Sequence, residues 1–385
     1  MKKLFKIDQH SRFRTGGLII FSFFSIYLIA SLGVYFLARQ FPDTVYALYT
    51  EYIYKILTFP NKLIAHLIPF SVAETLLIAA VIVFFTGLVF CIVKTAKMIR
   101  AKQPHRARPF LSFLLCIYSL TCLLAGNFVW FGGLNYNSLS FKEIGGYTIE
   151  ENEKEVLEKL CRYLGEKAGE SRSLLSEDEN GVVRETRDLR ELFALSQDGY
   201  KKLAEKYSFF DSYTVSPKPA LFSEIMCYEQ ISGIFPIVYT ESLVNAKTPA
   251  SSAPHTACHE IAHQYGFMRE DEANFIGFLA CIANGDPAYV YSGYYTAFSY
   301  AMSQLYSYDK DAWYEIASAV DPGIYRDIAY ENNFWDSYKK KAEIIASVSE
   351  NVNNTYLQMN NIEDGTHSYG RMVDLLIAEY KNTLD

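Results

Sequence analysis

Acidic residues are nearly missing from the first third of this chain. Residues 1–132 hold four Asp and Glu against 14 Lys and Arg, a net of +10, whereas residues 133–385 hold 39 against 22, a net of −17. Charge of either sign is absent from Leu18 to Ala38, from Thr75 to Val93 and from Phe110 to Phe131. Uncharged apolar runs of about 20 residues are too long for ordinary surface helices and suit bilayer spans. No two of the seven cysteines form a C-x-x-C pair, which argues against a cysteine-built zinc site. Cys91, Cys116 and Cys122 fall inside the apolar runs, where a thiol is a packing group. With its excess of acid, the second part offers nothing for a nucleic acid to bind.

What is present is half hydrophobic and 16% aromatic, rich for a soluble protein and accounted for by membrane segments. A length of 385 residues suits two regions: a membrane anchor over 1–132 with spans at 18–38, 75–93 and 110–131, and a second domain over 133–385. A cleaved signal peptide would have a shorter apolar region and a small-residue cleavage site after it. The stretch 39–71 is aromatic, with Tyr46, Tyr49, Tyr52 and Tyr54, and suits the lipid–water interface. The basic residues lie before the first span and in 94–108, so the positive-inside rule places both in the cytoplasm. Three spans then put the acidic domain on the extracytoplasmic side of the cell membrane.

The chemistry-bearing stretch is Cys258-His259-Glu260-Ile261-Ala262-His263-Gln264-Tyr265-Gly266. It contains H-E-x-x-H. On a helix, positions i and i+4 share a face, so His259 and His263 can offer two imidazoles to one metal ion. Glu260 beside them is placed to take a proton from a water activated there. Two neutral nitrogens and a carboxylate suit Zn2+, which takes three protein ligands in catalytic sites and keeps a fourth position open. The flanking Ala257, Cys258, Ile261 and Ala262 predict a buried helix, Pro254 its start, and Gly266 a left-handed stop. His255 lies one turn before His259 and reads as a first-turn polar residue.

The adjoining Glu270-Asp271-Glu272-Ala273-Asn274 resembles the E-x-x-A-D element of the gluzincin peptidases. That resemblance implies Glu270 as third ligand, with Glu272 in reserve, and Asn274 supporting a ligating histidine from behind. Two departures stand out: only six residues separate His263 from Glu270, and Asn274 replaces an Asp. Gly266 is also where the metzincins have a glycine, but their third ligand position is Arg269 here, a cation that cannot ligate zinc. The combined run, with three preceding spans and a late D-G-x-x-S-Y-G segment at 364–370, resembles an uncharacterised bacterial family of membrane proteins with a metallopeptidase-like domain.

Elsewhere the pattern predicts helices over 150–165 and 192–207, with a loosely held polar loop at 166–192 between them. Residues 233–240 read as a β-strand, demoted to an edge by Pro236 and suited to hold an extended peptide. The tyrosine-dense 289–308 reads as helix packing with hydroxyls at the wet edge. Residues 310–360 read as amphipathic helix, then a turn at Asp364-Gly365 and a closing helix from Arg371. His367, Tyr369 and Arg371 gather donors that could steady an oxyanion, with Tyr369 and His367 assigned that catalytic role. The expectation is a mainly α membrane protein: three transmembrane helices followed by an α+β, mostly helical, zincin-like extracytoplasmic domain. The expected function is a zinc metallopeptidase acting on peptides or proteins, with the lipid bilayer as its other partner and no nucleic acid. The rival is a zinc-binding receptor or scaffold without turnover.

Overall fold

Backbone inside hydrocarbon must satisfy its own N–H and C=O groups, and each apolar run does so as a helix. In a computed structural model that describes residues 9–149, 154–341 and 370–384, three helices are long and apolar enough to cross a membrane: Thr15–Ala38, Val72–Arg100 and Arg108–Phe131. Their large apolar side chains, such as Ile26, Val83 and Leu111, face outward. Their polar side chains turn inward between the first and third spans. The Tyr27 hydroxyl donates to Asn127 Oδ1 (2.6 Å), and Trp130 Nε1 donates to Ser31 Oγ (3.0 Å).

Between the first two spans the chain is helical from Pro42 to Leu67, with π-type spacing over Val45–Tyr54 and regular α-helix over Lys55–Leu67. This connecting helix is two-faced. Tyr49, Thr50, Tyr54, Thr58, Lys62 and Ala65 are buried, whereas Ile53, Ile56, Leu63, Ile64 and Leu67 are exposed.

The rest is a helical body around one large core. Lys154–Arg172, Ala253–Gln264, Glu270–Asn284, Pro287–Tyr308 and Gly370–Leu384 pack around Leu160, Leu164, Tyr200, Phe275, Phe278, Tyr291 and Phe298. Sheet is minimal. Strands β1 (Lys218–Pro219), β2 (Gly233–Ile234) and β3 (Leu243–Val244) stand in the order β1-β3-β2, with β1 parallel and β2 antiparallel to β3. β2 is therefore an edge strand.

Three expectations are corrected. The strand expected over 233–240 stops at Ile234. The fixed φ of Pro236 starts a turn closed by Tyr239 N–H and Thr240 N–H donating to Pro236 O (2.8 and 3.0 Å). The segment expected to be loose at 166–192 begins inside the Lys154–Arg172 helix. Beyond Arg172 the chain is pinned by a buried centre in which Asp327 accepts from Arg172 Nε (2.8 Å), Val183 N–H (2.9 Å) and the Tyr291 hydroxyl (2.5 Å). The hydroxyls of Tyr289 and Tyr291 are not at a wet edge; both rings are fully buried and donate to Leu192 O and Asp327. Buried polar atoms need such partners, and that is how a tyrosine-dense helix becomes core.

Candidate metal centre

The helix Ala253–Gln264 is buried along almost its whole length, with Pro254 in its first turn. It is fixed from several sides. Tyr200 donates to Cys258 O (2.6 Å), Ser242 Oγ to Glu260 O (2.7 Å), the Tyr54 hydroxyl to His263 O (3.2 Å) and Lys62 Nζ to Gln264 O (2.9 Å). It ends as the sequence predicts, at Gly266 with φ +100°. Gly266 N–H donates to His263 O (3.0 Å) and Phe267 N–H to Ala262 O (3.2 Å), the paired bonds of a Schellman stop. This tight reversal lets the next helix, Glu270–Asn284, begin with only five residues between it and the end of the first. The short interval between His263 and Glu270 is thereby explained: Glu270, the first residue of its helix, is swung back over the histidine pair.

The two rings and the carboxylate converge. His259 Nε2 lies 3.1 Å from His263 Nε2 and 3.1 Å from Glu270 Oε2, and His263 Nε2 lies 3.8 Å from Glu270 Oε1. The other ring nitrogens are engaged behind. His259 Nδ1 donates to Asn274 Oδ1 (2.9 Å) and His263 Nδ1 to Phe267 O (2.7 Å). With their Nδ1 positions donating, neutral rings present lone pairs at Nε2, so two lone pairs and a carboxylate face one another. That arrangement is repulsive without a cation. Burial works against His259's imidazolium, but its bond to Glu270 and the charges of Glu270 and Glu260 raise its pKa to about 9. Burial pushes His263 down to about 4. Burial alone would raise Glu270, yet the bond to His259 and the charges of both histidines hold it at about 2. His259, His263 and Glu270 could hold a metal ion, their ligand atoms lying within 4.8 Å of one another. The orientation of each imidazole by a partner at Nδ1 is the arrangement metal-binding histidines use.

Glu260 is buried beside this cluster, and burial raises its carboxyl to about 8. Its Oε2 has no hydrogen-bond partner among the described residues. Strand β2 runs against it. A Cβ built on Gly233 would stand 2.4 Å from Glu260 Oε1, so any side chain there would make the carboxylate or the strand shift. The cluster opens into a groove of about 1220 Å³ lined by β2, His259, Glu260, Glu270, Tyr300 and Trp335, among others.

The structure separates the remaining site residues. Glu272 is turned away, accepting from Phe141 N–H (3.0 Å) and Arg269 Nη1 (3.2 Å), so it is a structural bond and not part of the cluster. Arg269 also donates to Tyr136 O (3.1 Å). His255 is buried, its Nε2 meeting Asn274 O at 3.0 Å, which ties the two helices together. Arg371 Nε donates to Asp271 Oδ2 (2.9 Å). His367 and Tyr369, with the turn at 364–365, lie outside the described residues. Tyr300 is the residue that sequence reasoning missed. It lines the groove, and burial together with the charges of Glu270 and Glu331 keeps its hydroxyl protonated well above the usual range. The local pattern held only a tyrosine in a tyrosine-rich helix, with no sign of which one faced the groove.

The fold and cluster thus define a mainly helical protein with three membrane-length helices and a histidine–glutamate cluster able to hold a metal ion. The chain belongs to the family described as "Protein of unknown function (DUF3810)", whose sequence model matches residues 49–377. No curated protein and no solved structure matches it.

Proposed function

We propose that this protein is a membrane-anchored zinc metallopeptidase with a gluzincin-like site, hydrolysing peptide bonds of extracytoplasmic proteins or peptides. The observation that carries the reading is the convergence of His259, His263 and Glu270 on one point, beside a buried Glu260 whose outer oxygen has no partner among the described residues. The donor set fits zinc: two neutral imidazole nitrogens and one carboxylate, each ring oriented from behind. A cation there would relieve the repulsion of the converging lone pairs and replace the proton on His259, so affinity falls as pH falls.

Zinc, when bound, supplies Lewis acidity, lowering the pKa of water towards about 7 and polarising a carbonyl. The chain's own groups do the rest. The exposed edge of β2 holds an extended peptide by main-chain hydrogen bonds. Glu260 takes a proton from the attacking water and returns it to the leaving amine. Tyr300, on the groove wall, keeps its proton and donates to the developing oxyanion. The unpaired Glu260 oxygen also favours an enzyme over a zinc-holding receptor, which has no use for a poised base.

The test is metal content and turnover together. The full chain purified in detergent should hold about one zinc, lost in His259→Ala or His263→Ala. Glu260→Gln should keep the zinc and lose about 10²–10⁴-fold in peptide hydrolysis. Full zinc retention in the double histidine variant, or full activity in Glu260→Gln, would end this reading.

A further inference from the structure

The metal cluster is bolted to the membrane-spanning part of the chain. Strand β2 touches Glu260 at Gly233, and four residues later Ile237 packs on Gly132, the residue that ends the third span: a Cβ there would be 2.6 Å from Ile237 Cγ2. Four residues reach at most about 14 Å. Phe128, inside that span, and Tyr136, just beyond it, line the same groove as His263 and Glu270. Trp130 marks the end of the span, where tryptophan sits at a lipid–water boundary, and its carbonyl accepts from Tyr49.

The connecting helix gives an independent measure. Its buried face holds the metal helix directly, through Tyr54 to His263 O and Lys62 to Gln264 O, and Asn61 Nδ2 donates to Val238 O (2.9 Å) just beyond β2. Its opposite face carries Ile56 at 74% and Leu67 at 72% exposure, flanked by Ile53, Leu63 and Ile64. An apolar stripe on a helix joining two spans lies in the membrane interface. One helix diameter, about 10–12 Å, then separates His263 from lipid. A third tie sits at the start of the second span, where Glu74 accepts from Leu221 and Phe222 N–H (both 2.8 Å), next to the exposed Leu221 and Ile225.

Resting on the metallopeptidase reading, we propose that the groove takes polypeptides that are themselves anchored in the bilayer, and meets them within about five residues of where they leave the lipid. The site cannot be lifted away from the membrane without breaking all three ties. A bond close to an anchored chain's exit point is delivered to β2, whereas a bond far along that chain, or on a free peptide, must find the groove by diffusion.

The experiment uses the full chain in liposomes and one set of short random peptides in three forms. They are free, fused directly to a Leu-Ala membrane-spanning helix, or fused to it through a Gly-Ser spacer of about 40 residues with a mean reach of roughly 35 Å. Both fusions share the two-dimensional concentration gain, so the spacer isolates position. Glu260-dependent cleavage of the direct fusion should exceed both others by about tenfold or more. Equal cleavage of all three forms would overturn the membrane-proximal substrate and leave the peptidase reading standing; no Glu260-dependent cleavage in any form would overturn both.

Discussion

Gly233 carries no side chain because the Glu260 carboxylate occupies the place one would take. Replacing it by Ala puts a methyl 2.4 Å from Oε1 and 2.7 Å from Thr256 Cγ2, so the strand or the carboxylate must move. A displacement of that size at a reacting group costs about 10²-fold in rate. If the chain is the zinc peptidase proposed above, Gly233→Ala should keep its zinc and lose turnover, read as metal content against kcat; undiminished kcat would show that the strand does not position Glu260. Tyr300→Phe probes a different group. It removes one hydroxyl from the groove wall without touching a ligand, so zinc should stay while kcat falls about 10²–10³-fold, the usual effect of losing an oxyanion donor. A change confined to KM would assign Tyr300 to binding alone.

At the scale of elements, two buried charges have different consequences. Lys62 lies inside the contact between the connecting helix and the metal helix, 2% exposed. Burial, with help from the charge of Lys55, lowers its pKa from 10.5 to about 7. Between those values the unfolded chain binds a proton that the folded chain does not, so this group makes stability rise with pH across the window and fall as pH drops towards 7. Lys62→Met should remove that slope, visible as a wild-type melting temperature that climbs relative to the variant between about pH 7 and 10.5. Parallel curves would show that Lys62 stays charged in the fold. Asp327 is the opposite case, a fully buried carboxylate matched by Arg172, Val183 N–H and Tyr291. Asp327→Ala removes the acceptor of Arg172 Nε, Val183 N–H and the Tyr291 hydroxyl, leaving Arg172 only Glu177 and the Gly181 carbonyl, and should destabilise by about 3–5 kcal/mol in denaturant unfolding. It stands apart from the metal cluster, so zinc bound by the folded fraction should be unaffected.

For the molecule as a whole, the charge asymmetry predicts an orientation. The basic loop between the second and third spans and the basic N-terminus predict a cytoplasmic side, which puts the helical body outside. A reporter that is active only outside the cytoplasm should work when fused after Leu134 and fail when fused near Lys102. The reverse pattern would move the whole substrate pool to the cytoplasm. The ties would survive that reversal, because they fix the site to the connecting helix, the end of the third span and the start of the second, and not to one face of the cell.

The sequence determined the features that are local along the chain. Three uncharged runs became three membrane-length helices because hydrocarbon leaves the backbone no other partner. His259 and His263 share a face because the helix repeat dictates it, and Gly266 stops that helix because only glycine takes a positive φ freely. Even Glu270 follows from nearness, once the stop is that tight. Tertiary structure decided what depends on residues far apart in the chain. It chose Glu270 over Glu272 by giving Glu272 to Phe141 N–H, 131 residues away, and it cut the expected strand to two residues once Pro236 found a turn. Tyr300 faces the groove, Gly233 lies on Glu260, and Tyr54 holds His263 from 209 residues away. Periodicity records which face of an element is apolar. It does not record which other element will cover that face, and that covering is what brings Tyr54 and Lys62 onto the helix that carries His263.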